Sequence, residues 1–214
     1  MSRLRTPAVR IAGSFVSWAL FAFAFLGFVQ ATGAVIGLGG YCASGGPYVI
    51  ETECPQAVVV FAPLGLFGML IAVGIGLFFA RSFGTPLYLW AWPVFFVVIG
   101  IQFLWGLTVG AGIVVSILIG LLAIAMGVAP WWWMIRDGVQ PFLIGITDLR
   151  GRPFAYQGDR KPAKRSVWAP RREEGDQVAA RPADWLLALG IVVVAFPLGG
   201  WLALLAFNAV GASA

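Results

Sequence analysis

SFGTPLYLWAWPVFFVVIGIQFLWGLTVGAGIVVSILIGLLAIAMGVAPWWWMI, residues 82–135, contains no Asp, Glu, Lys or Arg. A helix crosses the hydrocarbon of a bilayer with about 20 predominantly apolar residues. This stretch of 54 residues is too long for one crossing and suits two joined by a tight turn. The turn is expected at Gly106-Leu107-Thr108-Val109-Gly110, where Gly and Thr are the local helix breakers. Three more uncharged stretches surround it: between Arg10 and Glu51, between Glu53 and Arg81, and from Trp185 to Ala214. Hydrophobic residues make up 60% of the 214-residue chain, above the roughly half that is usual in a soluble domain. The expected fold is all-α: one integral membrane bundle of five transmembrane helices. The spans are placed at 11–38, 57–80, 87–105, 111–135 and 185–207.

Charge placement tests that count. Of fourteen Lys and Arg, three precede Ile11, one is Arg81, and ten lie between Arg136 and Arg181. Lys and Arg concentrate in short cytoplasmic loops. With the N-terminus inside, span 1 exits, span 2 returns at Arg81, spans 3 and 4 form a hairpin returning at Arg136, and span 5 carries the C-terminus out. Every base then lies on one side. Merging spans 3 and 4 would put either Arg81 or the base-rich loop outside. The expectation is therefore N-in and C-out, with an external loop at 39–55 and a cytoplasmic basic loop at 136–184. Arg3, Arg5 and Arg10 resemble the basic flank of a secretory signal. The apolar run Ile11–Val29 exceeds the roughly 7–15 residues of such a signal, so an uncleaved first span is expected.

Small residues recur every fourth position. Gly68, Ala72 and Gly76 share one face of span 2, and Gly112, Ser116 and Gly120 share one face of span 4. Such faces let helix backbones approach until dispersion contacts supply what lipid cannot. Pro63, Pro93 and Pro197 fall within or near the starts of spans 2, 3 and 5, where each removes a backbone donor. Gln30 and Gln102 are the strongest intramembrane polar residues, and interhelical hydrogen bonding is their expected role. No ionisable residue is expected at mid-depth, which argues against a proton-coupled transporter, a pump or a voltage sensor.

Cys42 and Cys54 bracket the external loop. A structural disulfide there would close about a dozen residues in an oxidising compartment. A redox-active pair and a metal site are the weaker alternatives, because no base stands nearby in sequence to lower a thiol pKa and the chain has no His. Glu51 and Glu53 alternate along an extended Val49–Thr52 stretch and serve either to solvate the loop or to recruit a cation or a basic partner.

The segment Cys-x-Ser-Gly-Gly-Pro-Tyr-x-Ile…Cys-Pro, Cys42–Pro55, resembles a pattern found in uncharacterised multi-pass membrane proteins of high-GC Gram-positive bacteria. The Ala, Gly, Val and Arg-rich composition agrees. The resemblance implies a bacterial plasma membrane and carries no activity with it.

The connection 136–184 holds the remaining carboxylates, Asp137, Asp148, Asp159, Glu173, Glu174, Asp176 and Asp184. They are interleaved with bases, Pro and Gly, which reads as a solvated, partly disordered segment. Its apolar start, Val139–Ile146, is too short to span and would pack on the membrane surface or beneath the bundle. Arg160, Lys161, Lys164, Arg165, Arg171 and Arg172, with Trp168 among them, are candidate contacts to anionic lipid headgroups. Each base near the surface contributes about 1 kcal/mol.

Without His, neither Ser–His attack nor His-held metal-bound water is possible. No cofactor or metal is expected, and no nucleic-acid motif accompanies the basic charge. The expected function is that of a non-catalytic accessory or scaffold subunit, with the lipid bilayer and another membrane protein as partners. A transporter or channel component for a neutral or apolar solute is the alternative, motivated by Gly- and Pro-broken spans. A lipid-modifying enzyme using Asp137, Asp148 and Arg150 is the disfavoured third reading.

Overall fold

Each expected span forms a helix in the computed structural model, which describes residues 6–40, 42–43, 52–80, 82–109, 112–136, 139–155 and 177–212. The long helices are α1 (Pro7–Gly37), α2 (Gln56–Ile75), α3 (Leu87–Gly106), α4 (Ile113–Arg136) and α6 (Pro182–Ala212). A six-residue helix, α5 (Val139–Ile144), follows α4. Among the described residues, five helices are long and apolar enough to cross a membrane. α1 and α6 both start earlier in sequence than the hydropathy edge suggests. Each opens on a proline, whose fixed φ and missing N–H suit the first helical position.

α1 is the axis of the bundle. It packs against α2 on one side, α6 on another and α3 on a third. Its large side chains Trp18, Phe21 and Phe25 are buried at 3%, 1% and 2% exposure and form the core with Met69, Ile191 and Ala195. Close approach to α2 uses small residues. A Cβ on Gly68 would come within 2.8 Å of Ala24 Cβ, and one on Gly65 within 2.7 Å of Ala24 O. Ala72 is fully buried, and Gly76 faces Ser17. The Gly68–Ala72–Gly76 face is thus turned to α1. α6 meets α1 where Gly199 lies against the Ala19 backbone, leaving no room for a side chain.

α3 and α4 form an antiparallel pair. Ser116, Gly120, Ala123 and Gly127 are the buried face of α4. A Cβ on Gly100 of α3 would sit 2.7 Å from Gly120 O and 2.9 Å from Ile124 N, so the two backbones are in contact at that crossing. Gly112 does not belong to this seam. It precedes α4, is exposed, and has open space where a Cβ would stand. The four-residue spacing that includes it is a register match outside the helix. α4 packs mainly on α3, and the rest of its circumference is bare, with Val114 77% and Leu118 67% exposed. No other described helix covers that arc.

α3 is tied to α1 by a polar bridge. Thr32 Oγ1 donates to Gln102 Oε1 at 2.7 Å, and Gln102 Nε2 donates to the Val29 carbonyl at 2.6 Å. In hydrocarbon these groups have no water to turn to, so pairing across helices is their means of satisfaction. Phe28 and Phe95 pack nearby, ring centroids 5.6 Å apart. Pro63, Pro93 and Pro197 lie inside α2, α3 and α6, and the helices continue through them. The expected breaks in spans 2, 3 and 5 are absent there. α2 departs from α-geometry only at its end, in a π-helical turn at Gly76–Ala80.

Candidate functional site

The five helices alternate in direction, so the bundle has two ends. At one, Cys42 and Cys54 are joined, with Cα atoms 5.0 Å apart. The Ala43 N–H donates to Thr52 O and the Cys54 N–H to Ala43 O, both at 3.0 Å, so the backbone ladder holds the loop mouth beside the disulfide. Glu53 is exposed, while Glu51 and most of the loop lie outside the described residues.

The opposite end gathers Arg10, the connection 82–86, residues 139–155 and the start of α6. The sequence reads the connection 136–184 as solvated and partly disordered after an apolar start, and among the described residues the structure differs from that only at 147–155 and 177–181. Residues 139–155 and 177–181 are folded into a cap under the helices. α5 places Phe142 against Trp90, ring centroids 4.5 Å apart, and Trp90 Nε1 donates to the Phe142 carbonyl at 3.0 Å. Ile144 and Phe154 are buried together with Ala188 of α6. The apolar start of the connection thus packs beneath the bundle.

A small hairpin follows. The Phe154 N–H donates to Ile146 O at 3.0 Å and the Asp148 N–H to Arg152 O at 2.9 Å, while the Gly151 N–H closes the turn on Asp148 O at 3.0 Å. Gly151 has φ +85°, the left-handed conformation that ends a three-residue hairpin loop. Asp148 secures the turn. Its Oδ1 accepts the backbone N–H groups of Arg150 and Arg152 at 2.9 and 2.8 Å. Its Oδ2 accepts the Arg152 guanidinium at 2.9 Å through Nε and 2.8 Å through Nη2. The hairpin leans on the 82–86 connection, where the Ile146 N–H donates to Ser82 O at 3.1 Å. That approach requires Gly145: its φ is +83°, and any Cβ would strike Ser82 O.

Arg10 binds these pieces together. Its side chain is 3% exposed. Nη1 donates to the Asp148 carbonyl at 2.7 Å and Nη2 to Thr147 Oγ1 at 2.7 Å. Nε and Nη2 reach the Ala80 carbonyl at 3.3 and 3.1 Å. Ala80 is the last residue of the π-helical turn, a place where helix carbonyls lack intrahelical partners. The guanidinium also lies over the Phe83 ring, 5.9 Å from its centroid. One side chain therefore joins α1, the end of α2 and the hairpin. Arg10, read from the sequence as a basic flank of span 1, is a buried structural cation.

The start of α6 is capped in the same economical way. Asp184 Oδ2 accepts the Arg181 N–H at 2.9 Å, an acidic third residue reaching back to the residue before the helix. Between this turn and the hairpin lies a cleft of about 200 Å³, whose charged lining is Asp148, Arg150, Arg152, Arg181 and Asp184.

Of the residues singled out by sequence, Asp148 and Arg150 do meet, through the Asp148 carboxylate and the Arg150 backbone rather than between side chains. Asp137, Arg160, Lys161, Lys164, Arg165, Trp168, Arg171 and Arg172 lie outside the described residues. The roles of Arg10, Thr147 and Asp184 were not anticipated. Local signals existed for two elements: Asp148-Leu149-Arg150-Gly151 between Ile146-Thr147 and Phe154 is turn chemistry between strand formers, and Arg181-Pro182-Ala183-Asp184 is a helix start. Nothing local marks Arg10. No family model, curated protein or solved structure matches the chain.

Proposed function

We propose that this chain is a non-catalytic accessory or scaffold subunit of a membrane complex, with its Arg10 end in the cytoplasm of a bacterial plasma membrane. The observation that carries the reading is how the polar groups of the cap are used. Asp148 engages both oxygens with backbone N–H groups and Arg152, and Asp184 holds a helix start. Arg10 engages three backbone or hydroxyl acceptors. These bonds stabilise a shape. An acid–base group must be free to exchange its proton with a substrate.

The continuous helices α2, α3 and α6 add support, because substrate sites of many transporters are built on interrupted ones. The orientation is supported by where the bases fall in sequence: Arg3, Arg5 and Arg10 at the start of α1, Arg81 after Ala80, and ten between the end of α4 and the start of α6, helix ends that share one end of the bundle. The partner would meet the bundle laterally in the bilayer, along helix faces such as the bare arc of α4.

Two experiments test this. The tagged chain, extracted in mild detergent after cross-linking, should bring down one membrane protein in fixed stoichiometry; recovery as a lone monomer would overturn the scaffold reading. Single cysteines placed at Ser2, Ser82, Ser166 and Ser213 in a C42S/C54S background should be labelled from outside only at Ser213. External labelling at Ser166 would overturn the orientation.

A further inference from the structure

The cleft between the hairpin and the start of α6 has a charge pattern that the cap itself does not use. Its two acids are already engaged: Asp148 takes Arg152 and two backbone N–H groups, and Asp184 takes the Arg181 N–H. Of its three arginines, Arg152 is paired with Asp148. The guanidinium groups of Arg150 and Arg181 have no hydrogen-bond or ion-pair partner among the described residues, and both residues are exposed beside the cleft. Two planar guanidinium forks flanking one small opening can recognise a tetrahedral oxyanion, offering paired N–H donors to its oxygens. The volume of about 200 Å³ lies below the roughly 300–1,000 Å³ of pockets for drug-sized ligands and suits a single small anionic group.

Depth in the bilayer points to the source of that group. α6 has 31 residues and a length of about 46 Å at about 1.5 Å per residue. The hydrocarbon is about 30 Å thick, so the ends of α6 reach into the headgroup layers. Leu186, five residues after Arg181, is 75% exposed, and Trp185 stands beside it as an interfacial ring. The cleft therefore opens where α6 passes from headgroups into hydrocarbon.

We propose that Arg150 and Arg181, across the cleft between the hairpin and the start of α6, bind a phosphate group. The headgroup of a membrane lipid is the favoured carrier, and free phosphate is the other source. Arg152 adds field while remaining paired to Asp148. The site is independent of the scaffold reading: it would operate whether or not a protein partner exists.

The test uses the full-length chain in nanodiscs. In the first arm the discs contain phosphatidylcholine doped with phosphatidylglycerol or phosphatidic acid, and native mass spectrometry counts the lipids retained. The wild type should retain the anionic lipid at least about fivefold over phosphatidylcholine, with retention falling as salt rises. R150Q/R181Q should bring the ratio to parity at unchanged melting temperature, because neither side chain contributes a bond to the cap. R150K/R181K should restore part of it. Neutralising the six bases of 160–172 should leave the enrichment in place, which separates this cleft from diffuse attraction by that segment. In the second arm, inorganic phosphate is titrated into phosphatidylcholine discs. Saturable, R150Q/R181Q-sensitive binding there, with no lipid enrichment, assigns the site to free phosphate. Glu173, Glu174 and Asp176 precede Gln177 in sequence, so both arms are repeated with E173Q/E174Q/D176N. Absence of specific binding in both arms with both proteins overturns the proposal, as does enrichment that survives R150Q/R181Q.

Discussion

Arg10 offers the sharpest test of how the cap is held. Replacing it with Met keeps most of the stem and removes every donor. Three acceptors then lose the guanidinium: the Ala80 carbonyl, which keeps the Phe83 N–H, the Asp148 carbonyl, which keeps the Gly151 N–H, and Thr147 Oγ1. Hydrogen bonds to a charged group contribute about 1.5–3 kcal/mol each. Simple addition would give roughly 4.5–9 kcal/mol, but the three share one cation whose desolvation cost is also removed. The acceptors left behind are neutral, so the expected loss is about 3 kcal/mol, roughly 1 kcal/mol for each acceptor that loses the guanidinium. Arg10→Lys should lose less, about 2 kcal/mol, since an ammonium donates to two acceptors but cannot fork.

At about 2–4 °C per kcal/mol for a chain of this size, R10M should melt about 10 °C lower. The damage should also be local. Amide exchange at Ile146, Gly151 and Phe154, whose N–H groups hold the hairpin, should accelerate about a hundredfold if opening becomes roughly 3 kcal/mol easier. Exchange is measured in nanodiscs alongside Thr32 and Gln102 as distant reference amides. If R10M leaves both the melting temperature and hairpin exchange within threefold of wild type, Arg10 does not organise the cap.

Gly145→Ala should open the same cap by another route, because it forces an L-residue into φ +83° against Ser82 O; an unchanged melting temperature would contradict that geometry. Gly100→Ala should separate α3 from α4 and cost at least about 2 kcal/mol, as overpacking against rigid backbone does. Gly112→Ala should be neutral, and equal effects at both sites in detergent unfolding would show that the seam is misplaced. Cys42→Ser should remove up to about 3 kcal/mol on the chain-entropy estimate; a free-thiol count of two on unreduced wild type would exclude the bond. Gln102→Leu should cost only about 0.6–1.7 kcal/mol, the measured range for hydrogen bonds between membrane helices, and a larger loss by steric trapping would mean the bridge does more than join α1 to α3.

The number of spans, their approximate ends and the position of the disulfide were all legible from the sequence. Each depends on a local property. A run of residues without charge has one way to be comfortable in hydrocarbon, and two cysteines twelve positions apart at the mouth of one helical hairpin have few other places to go. The Gly68–Ala72–Gly76 face could be read because it runs along one uninterrupted span, Gln56–Ala80. The parallel reading of Gly112 failed because spacing cannot say where a helix begins.

The cap was decided by tertiary structure. Arg10 finds its partners 70 and 138 positions away, and no local pattern separates a basic flank that stays in water from one that is buried under carbonyls. The same holds for residues 139–155. Past the apolar start Val139–Ile146, which the sequence does reveal, their mixture of charge, Gly and Pro matches the composition of a solvated linker. They fold because Ser82, Gly84 and Ala188 supply a surface to fold on, and because a buried guanidinium satisfies carbonyls that water no longer reaches.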